Sequence, residues 1–291
     1  MGAGAMSPTP IEPFGVELQL DTSRPLTDTE ASELRRTFTE HGLLVLRDHE
    51  VTPEWQAQLM ARLGRVEAGA DGQPLLLHIT NQSTDSSAPQ GELTFHFDYA
   101  YDPEPIPAIS LYGLEVAEAA TPTLFANSSQ VLSRIPGDLL AQVEGRDAAH
   151  FCFPEALDAA GEREAEPDAQ HRLGDPSWGS DDWRARHPVI WRNGAGVPTL
   201  FLCRLYTQRV LGMPRAESDA LLRELYQYVY DAEHIYEHQW RPNDLVIWDN
   251  LTLQHARLVP NDKPRVLRRY HLSNTDLTEE YLRVGRANAY L

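Results

Sequence analysis

The chain has 291 residues, 42% of them hydrophobic, which is enough to bury a core in one large domain or two small ones. Its formal net charge is −18, and no stretch rich in lysine or arginine offsets this charge, so nucleic-acid and membrane partners are not expected. A small-molecule substrate fits better. The chain has only two cysteines, and its first residues do not resemble an export signal, so we expect a cytoplasmic protein.

The first part of the chain predicts two helices with a buried strand between them. Thr27 and Glu30 have the spacing of a capping box at the start of the first helix. The run LLVLR at 43–47 is typical of a buried strand. Thr52 then caps a second helix, which is expected to end at Gly64.

The rest of the chain is predicted to be rich in β-strands. PLLLHIT, FHFDYAY and PAISLYGLEV are short strand-like runs separated by turn-forming residues. Residues 155–186 are acidic and poor in aliphatic side chains, which is typical of a surface insertion or a lid over a site. After them we expect a hairpin (HPVIWR to PTLFLC), an amphipathic helix (MPRAESDALLRELYQYVY) and two strands (DLVIWDN and RVLRRYHL).

The run TFHFDYAYDPEP contains a histidine and an aspartate two positions apart. If His96 and Asp98 lie on one strand, their side chains share a face and can bind one ion. Two histidines and one carboxylate, with the other metal positions open, form the ligand set of non-haem Fe(II) oxygenases. His255 is the best candidate for the second histidine, and Arg265, ten residues later, could bind a carboxylate. The alternative is that His96 is a core histidine with a local carboxylate partner.

These residues resemble the taurine dioxygenase (TauD/TfdA) family of oxygenases that depend on Fe(II) and 2-oxoglutarate. The likeness extends from PFGVEL to RRYHL. Its main segments are LTDTEASELRRTFTEHGLLVLRDHEVTPEW, FHFDYAYDPEPIPAISLYGLEVAEAATPTLFAN, HPVIWRNGAGVPTLFL, and WRPNDLVIWDNLTLQH with PRVLRR. The resemblance implies that His96, Asp98 and His255 are the catalytic iron ligands and that Fe(II), 2-oxoglutarate and O2 are used.

The resemblance also implies roles for residues around the iron. Arg265 is expected to bind the distal carboxylate of 2-oxoglutarate, with help from the hydroxyl of Thr123. The three residues before Thr123 are Ala-Thr-Pro here, where the family usually has Gly-Gly-Asp. Arg269 matches the arginine that binds the sulfonate group in the taurine enzyme. Further candidates for the substrate site are Tyr99, Tyr101 and Asn81. Packing of the two tyrosines and a turn at the asparagine are the alternatives.

The fold implied by the resemblance is mainly β with flanking helices: a double-stranded β-helix, which is a distorted, cupin-like jelly roll, in a single domain over residues 1–291. The implied function is that of an Fe(II)/2-oxoglutarate-dependent dioxygenase that hydroxylates a small polar or anionic substrate, for example in natural-product biosynthesis. The last segments also resemble relatives that tailor isonitrile natural products by desaturation, so the outcome stays open, as does assembly into a homo-oligomer. More remote alternatives are a zinc-dependent hydrolase and a non-catalytic jelly-roll binding protein.

Overall fold

The computed structural model describes residues 7–82, 91–151, 184–192, 196–260 and 262–273. Most of the expected lid at residues 155–186 therefore lies outside the described residues. Its last three residues belong to a strand, Arg184–Pro188, which pairs with a neighbouring strand, and the lid itself stays a prediction. Within the described ranges, no helix is long and apolar enough to cross a membrane.

The two predicted N-terminal helices are present with their predicted caps. Helix α1 is Asp28–His41, and Thr27 and Glu30 form the capping box in front of it. Helix α2 is Pro53–Leu63, where the Thr52 hydroxyl accepts a hydrogen bond from a backbone N–H of the first turn. The other α-helices of the described residues are α3 (Gly137–Ala141) and α4 (Arg215–Val229).

The strands dominate the described part of the chain. In chain order they are β1 Thr9–Pro10, β2 Val16–Glu17, β3 Leu43–Leu46, β4 Leu77–Thr80, β5 Leu93–His96, β6 Ala108–Val116, β7 Thr123–Asn127, β8 Asp147–Phe151, β9 Arg184–Pro188, β10 Ile190–Arg192, β11 Pro198–Leu200, β12 Thr207–Val210, β13 Ile235–His238, β14 Leu245–Asp249, β15 Leu253–Arg257 and β16 Arg265–His271. The protein is thus mainly β with a few helices, and the predicted hairpin is the antiparallel pair β10–β11.

Two sheets position the candidate site. The larger has the strand order β1-β2-β3-β14-β6-β16-β4, and the smaller has the order β13-β7-β15-β5. They pack face to face through one apolar cluster, to which the larger sheet contributes side chains such as Trp248 and Leu267, and the smaller sheet Phe125 and Leu253. Helices α1 and α2 cover the other face of the larger sheet, and α4 packs on the outer side of the smaller one.

Candidate active site

Two of the predicted metal ligands face each other on neighbouring strands. His96 is the last residue of β5 and His255 lies in the middle of β15, and the antiparallel register places the two residues directly opposite each other. Their ring centroids are 4.2 Å apart. The pairing of β5 with β15 therefore brings together two residues that are far apart in sequence.

Asp98 reaches the same place in a different way from the one expected. Strand β5 ends at His96, so the prediction that His96 and Asp98 share the face of one strand was wrong. After the strand the chain turns, and Tyr99 has a positive φ of 60°. This turn directs the Asp98 carboxylate back toward His96, where Asp98 Oδ1 lies 3.0 Å from His96 Nε2 and 3.7 Å from His255 Nε2.

A buried asparagine that the sequence analysis missed fixes the backbone of Asp98. The Asn250 side chain accepts a hydrogen bond from Asp98 N–H at 2.9 Å and donates to the carbonyl oxygens of Asp98 and Ile106 at 2.9 and 2.8 Å. The sequence signal was a polar residue directly after the buried run DLVIWD. Asn250 is fully buried, so these hydrogen bonds do not compete with bulk water.

His187 supports the turn from the opposite side. Its Nε2 lies 3.0 Å from the carbonyl oxygens of both Ala100 and Asp102, so it can donate one shared hydrogen bond to this loop. Complete burial, opposed in part by these two hydrogen bonds, lowers the pKa of His187 to about 4, and the ring is therefore neutral near pH 7. The residue holds the segment that carries Asp98, Tyr99 and Tyr101.

His96, Asp98 and His255 form a group of three ligands that fits a metal ion. One ligand atom from each lies within 4.8 Å of the others. His96 Nδ1 is 2.8 Å from the Thr94 carbonyl oxygen and donates its proton there, which directs Nε2 toward the Asp98 carboxylate. A metal ion between Nε2 and the carboxylate would take the place of the proton that otherwise joins two such atoms 3.0 Å apart.

The protonation states of the other two ligands also suit a divalent cation. Burial, and to a lesser degree the charge of His96, lowers the pKa of His255 to about 3, so its imidazole is neutral. Burial alone would raise the pKa of Asp98, but Arg269, His255 and His96 outweigh it and hold that pKa well below its usual range. Arg269 Nη2 is 2.8 Å from Asp98 Oδ2. The carboxylate is thus ionised, as a metal ligand must be.

The three ligands open onto a cavity of about 200 Å³. Of the other residues expected at the site, those that line it are Arg265, Thr123, Arg269, Tyr99 and Tyr101. Arg265 and Arg269 lie four positions apart on β16, in the larger sheet, whereas the histidines come from the smaller one. The site therefore lies between the two sheets.

Arg265 and Thr123 form one end of this cavity. Arg265 is 3% exposed, and its Nη1 donates to the carbonyl oxygen of Thr121. The Thr123 hydroxyl accepts a hydrogen bond from Trp240 Nε1 at 2.9 Å, so its own proton stays available for a ligand. Burial, and then the charge of Arg257, lowers the pKa of Arg265 to about 10, and its guanidinium remains a cation at neutral pH.

Asn81 is not among the residues that line the cavity, and its expected role at the substrate stays a prediction. Its amide nitrogen donates to the Lys263 carbonyl oxygen at 2.6 Å, and its oxygen accepts from the backbone N–H of Arg265 at 3.0 Å. These contacts cross-link the end of β4 to the start of β16. Asn81 therefore positions the backbone of Arg265.

Two polar residues of the cavity wall were not predicted. Tyr206 places its ring perpendicular to the rings of His96 and Tyr101, with centroid distances of 5.8 and 4.9 Å. Arg257 lies two residues after His255 on β15 and faces the same cavity. The remaining wall is mostly apolar and consists of Ile79, Leu93, Ile109, Leu111, Trp248, Ala256 and Leu267. No local motif marks these residues.

Comparisons with known proteins show the family of the chain. Residues 7–271 match the family described as "Taurine catabolism dioxygenase TauD, TfdA family". The alpha-ketoglutarate-dependent 2,4-dichlorophenoxyacetate dioxygenase of Cupriavidus pinatubonensis is 26% identical over 270 residues, which cover 84% of this chain and 88% of that protein. Isocyanide synthase A of Aspergillus fumigatus is 31% identical over 156 residues, which cover 52% of this chain and 24% of that protein.

A solved structure shows the same fold. The crystal structure of AAD-2 in complex with Mn(II) and N-oxalylglycine superposes with a TM-score of 0.74 at 21% sequence identity. The match covers 93% of this chain and 98% of that one. The arrangement of helices and sheets described above is therefore shared with AAD-2.

Proposed function

This chain belongs to the TauD/TfdA family of dioxygenases, and we propose that it couples the oxidative decarboxylation of 2-oxoglutarate to the hydroxylation of a C–H bond in a small anionic substrate. It is an Fe(II)/2-oxoglutarate-dependent dioxygenase, and its cofactor and cosubstrates are Fe(II), 2-oxoglutarate and O2. The observation that carries the proposal is the opening of the His96, Asp98 and His255 group onto the same cavity as three arginines, Arg257, Arg265 and Arg269. We interpret the two facing sheets as the double-stranded β-helix of such enzymes.

In this proposal, the protein positions the reactants. Bound iron, with 2-oxoglutarate and O2, supplies the oxidant, and one oxygen atom enters the substrate while the other enters succinate, with release of CO2. His96, Asp98 and His255 would hold the metal through two imidazole nitrogens and one carboxylate oxygen. Arg265 and Thr123 would bind the distal carboxylate of 2-oxoglutarate, because a buried guanidinium and a hydroxyl with a free proton both donate to an anion.

An anionic substrate is supported by Arg269. Its guanidinium lines the cavity four residues after Arg265, next to the metal ligands. A metal ion would compete with Arg269 for the Asp98 carboxylate, which would leave the guanidinium available to a substrate carboxylate or sulfonate. Tyr99, Tyr101 and the apolar wall would enclose the rest of the substrate, so we propose a small molecule with one anionic end and an uncharged body.

The proposal is tested anaerobically by adding Fe(II) and then 2-oxoglutarate to metal-free protein. The expected result is a weak visible charge-transfer band in the wild type, loss of the band in His255→Ala, and a requirement for much more 2-oxoglutarate in Arg265→Ala. His41→Ala, which changes a histidine in the last turn of α1, is the control and should match the wild type. A folded wild type that binds iron without producing the band would refute the proposal and favour zinc-dependent hydrolysis or ligand binding without catalysis.

Desaturation is the second candidate outcome, because the chain resembles isocyanide synthase A over half its length. The two outcomes differ in the mass of the product. Hydroxylation adds one oxygen atom to the substrate, whereas desaturation removes two hydrogen atoms. A screen of carboxylates and sulfonates with succinate detection, followed by mass spectrometry of each positive reaction, separates them.

A further inference from the structure

Helix α2 and the segment that follows it form one wall of an open groove of about 750 Å³, far along the chain from the metal ligands. Apolar side chains such as Ala57, Ala61, Val66 and Pro74 line this groove. A second groove of about 330 Å³ adjoins it, because Ala61 lines both, and adds the ring of Trp55. Exposed apolar surface of this kind is typical of a site that binds a protein segment.

The described part of the chain ends at the edge of the groove. The Ser273 N–H donates to the carbonyl oxygen of Arg65 at 2.7 Å, and Leu272 pairs with Val66 in an isolated β-bridge. Arg65 and Val66 both line the groove. Residues 274–291, which we call the C-terminal segment, lie outside the described residues and start from this point.

The C-terminal segment is long enough to cross the groove. The part of α2 that lines the groove, from Glu54 to Leu63, is about 14 Å long at 1.5 Å per residue. Eight residues span about 27 Å as an extended chain and about 12 Å as a helix. Residues 274–281 therefore reach along most of the groove in either conformation.

The sequence of the C-terminal segment contains an apolar pattern that fits such a groove. Leu277, Tyr281 and Val284 are spaced at i, i+4 and i+7, which is typical of the apolar face of a helix. Such a face is stable in water only when it packs on another apolar surface. The groove beside Ser273 offers that surface within the same chain.

The charges of the groove and of the C-terminal segment are complementary. Although the net charge of the chain is −18, the charged residues that line the groove are three arginines and one glutamate: Arg35, Arg62, Arg65 and Glu54. The pair of Arg62 with Asp28 lies at the surface, where the Asp28 side chain is 96% exposed, and competes weakly. The run NTDLTEE at 274–280 has three acidic side chains and no basic one, so it is attracted to this groove.

We propose that the C-terminal segment binds in the α2 groove of its own chain, with Leu277, Tyr281 and Val284 against the apolar lining and its acidic residues toward the arginines. This inference does not depend on the proposed function. Because Ser273 directly follows β16, the bound segment holds the end of the strand that carries Arg265 and Arg269. The groove is thus an internal docking surface that connects the chain end to the wall of the cavity.

The test is limited trypsin cleavage of the full chain after Arg283 and Arg286, followed by mass spectrometry of the released C-terminal peptides. Ala61→Glu places a longer, anionic side chain at an exposed position of the groove and is expected to speed this cleavage at least tenfold. Leu277→Asp should have a similar effect, and neither change alters a cleavage site. Ala220→Glu is the matched control, because Ala220 is an exposed alanine of α4, and it should match the wild type.

Equal cleavage rates in the wild type and Ala61→Glu would overturn the proposal, as would a wild type cleaved as fast as a free peptide of residues 274–291. Cleavage of Leu277→Asp at the wild-type rate would also overturn it, since the apolar face would then not bind. If Ala61→Glu does not fold, Gln58→Glu, at another exposed position of the same groove, is measured in its place. Protection that disappears on dilution of a dimer would assign the groove to the segment of a second copy and overturn binding within one chain.

Discussion

Replacement of Asn250 by alanine tests whether the metal site depends on the backbone geometry of Asp98. The substitution removes three buried hydrogen bonds, which involve Asp98 N–H and the carbonyl oxygens of Asp98 and Ile106. An unsatisfied buried backbone group costs about 1 to 3 kcal/mol, and water can enter the space left by the side chain, so we expect a loss of about 3 kcal/mol in the free energy of unfolding. This corresponds to a melting temperature lower by roughly 6 to 10 °C.

The same substitution should weaken metal binding. Changes to groups that orient a metal ligand typically cost about 10- to 100-fold in affinity, and Asn250 holds Asp98 on both sides of its Cα. The assay combines urea unfolding of the metal-free protein with titration of Mn(II). Asn250→Asp should be at least as damaging as Asn250→Ala, because it keeps the acceptor for Asp98 N–H but turns a buried carboxylate oxygen toward the two carbonyl oxygens that the amide nitrogen contacted.

Asn127→Ala is the control for this experiment. Asn127 accepts hydrogen bonds from the backbone N–H groups of Ser129 and Gln130 at the start of a 3₁₀ turn, away from Asp98. Its loss should cost about 1 kcal/mol of stability and leave the Mn(II) affinity unchanged. If Asn250→Ala were destabilised to the expected extent but bound Mn(II) like the wild type, Asn250 would be a folding residue only, and the argument that it positions Asp98 would be refuted.

Three further predictions concern single residues. The pKa of His187 is about 4 in the folded state against an ordinary 6.5, so the unfolded chain takes up a proton on this residue as the pH falls below about 6.5 while the folded chain does not. Between pH 7 and pH 5 this difference should lower the free energy of unfolding by about 2 kcal/mol. Urea unfolding of His187→Gln should therefore show a flatter pH profile than that of the wild type, and parallel profiles would contradict the assignment. Mn(II) at 100 times its dissociation constant should stabilise the wild type by about 2.7 kcal/mol but not His255→Ala, as measured by thermal unfolding; equal stabilisation would place the metal elsewhere. Thr123→Val should weaken 2-oxoglutarate binding about tenfold and Trp240→Phe by less, because Trp240 only orients the hydroxyl; a larger effect of Trp240→Phe would assign Thr123 a structural role.

Local sequence patterns were sufficient where structure depends on neighbours in the chain. The capping box of Thr27 and Glu30, the threonine cap of α2 and the β10–β11 hairpin were all predicted and are present. These features depend on residues that are close in sequence. The first backbone N–H groups of a helix have no partner within the helix and need a nearby acceptor, and turn-forming residues permit the reversal of the chain. The mainly β class likewise follows from short β-rich runs separated by turns.

The candidate site could not be predicted from local sequence patterns alone. His96, Asp98, His255 and Arg265 were predicted from their order in a family resemblance. Asp98 was expected to share the face of one strand with His96, but it lies on a turn after β5. Asn81 was expected at the substrate, and the structure adds that it fastens the backbone of Arg265, because β4 and β16 are neighbours in the larger sheet.

The sequence by itself therefore determined helices α1, α2 and α4, strands such as β3, β6, β14 and β16, and the chemical types that could bind iron and a carboxylate. Only the tertiary structure decided that β5 and β15 set two histidines face to face and that Asn250 and His187 fix the turn carrying Asp98. The physical reason is that these contacts join residues from 85 to more than 150 positions apart. Strand pairing and packing of two sheets bring such residues together, and no local pattern records which partners will meet.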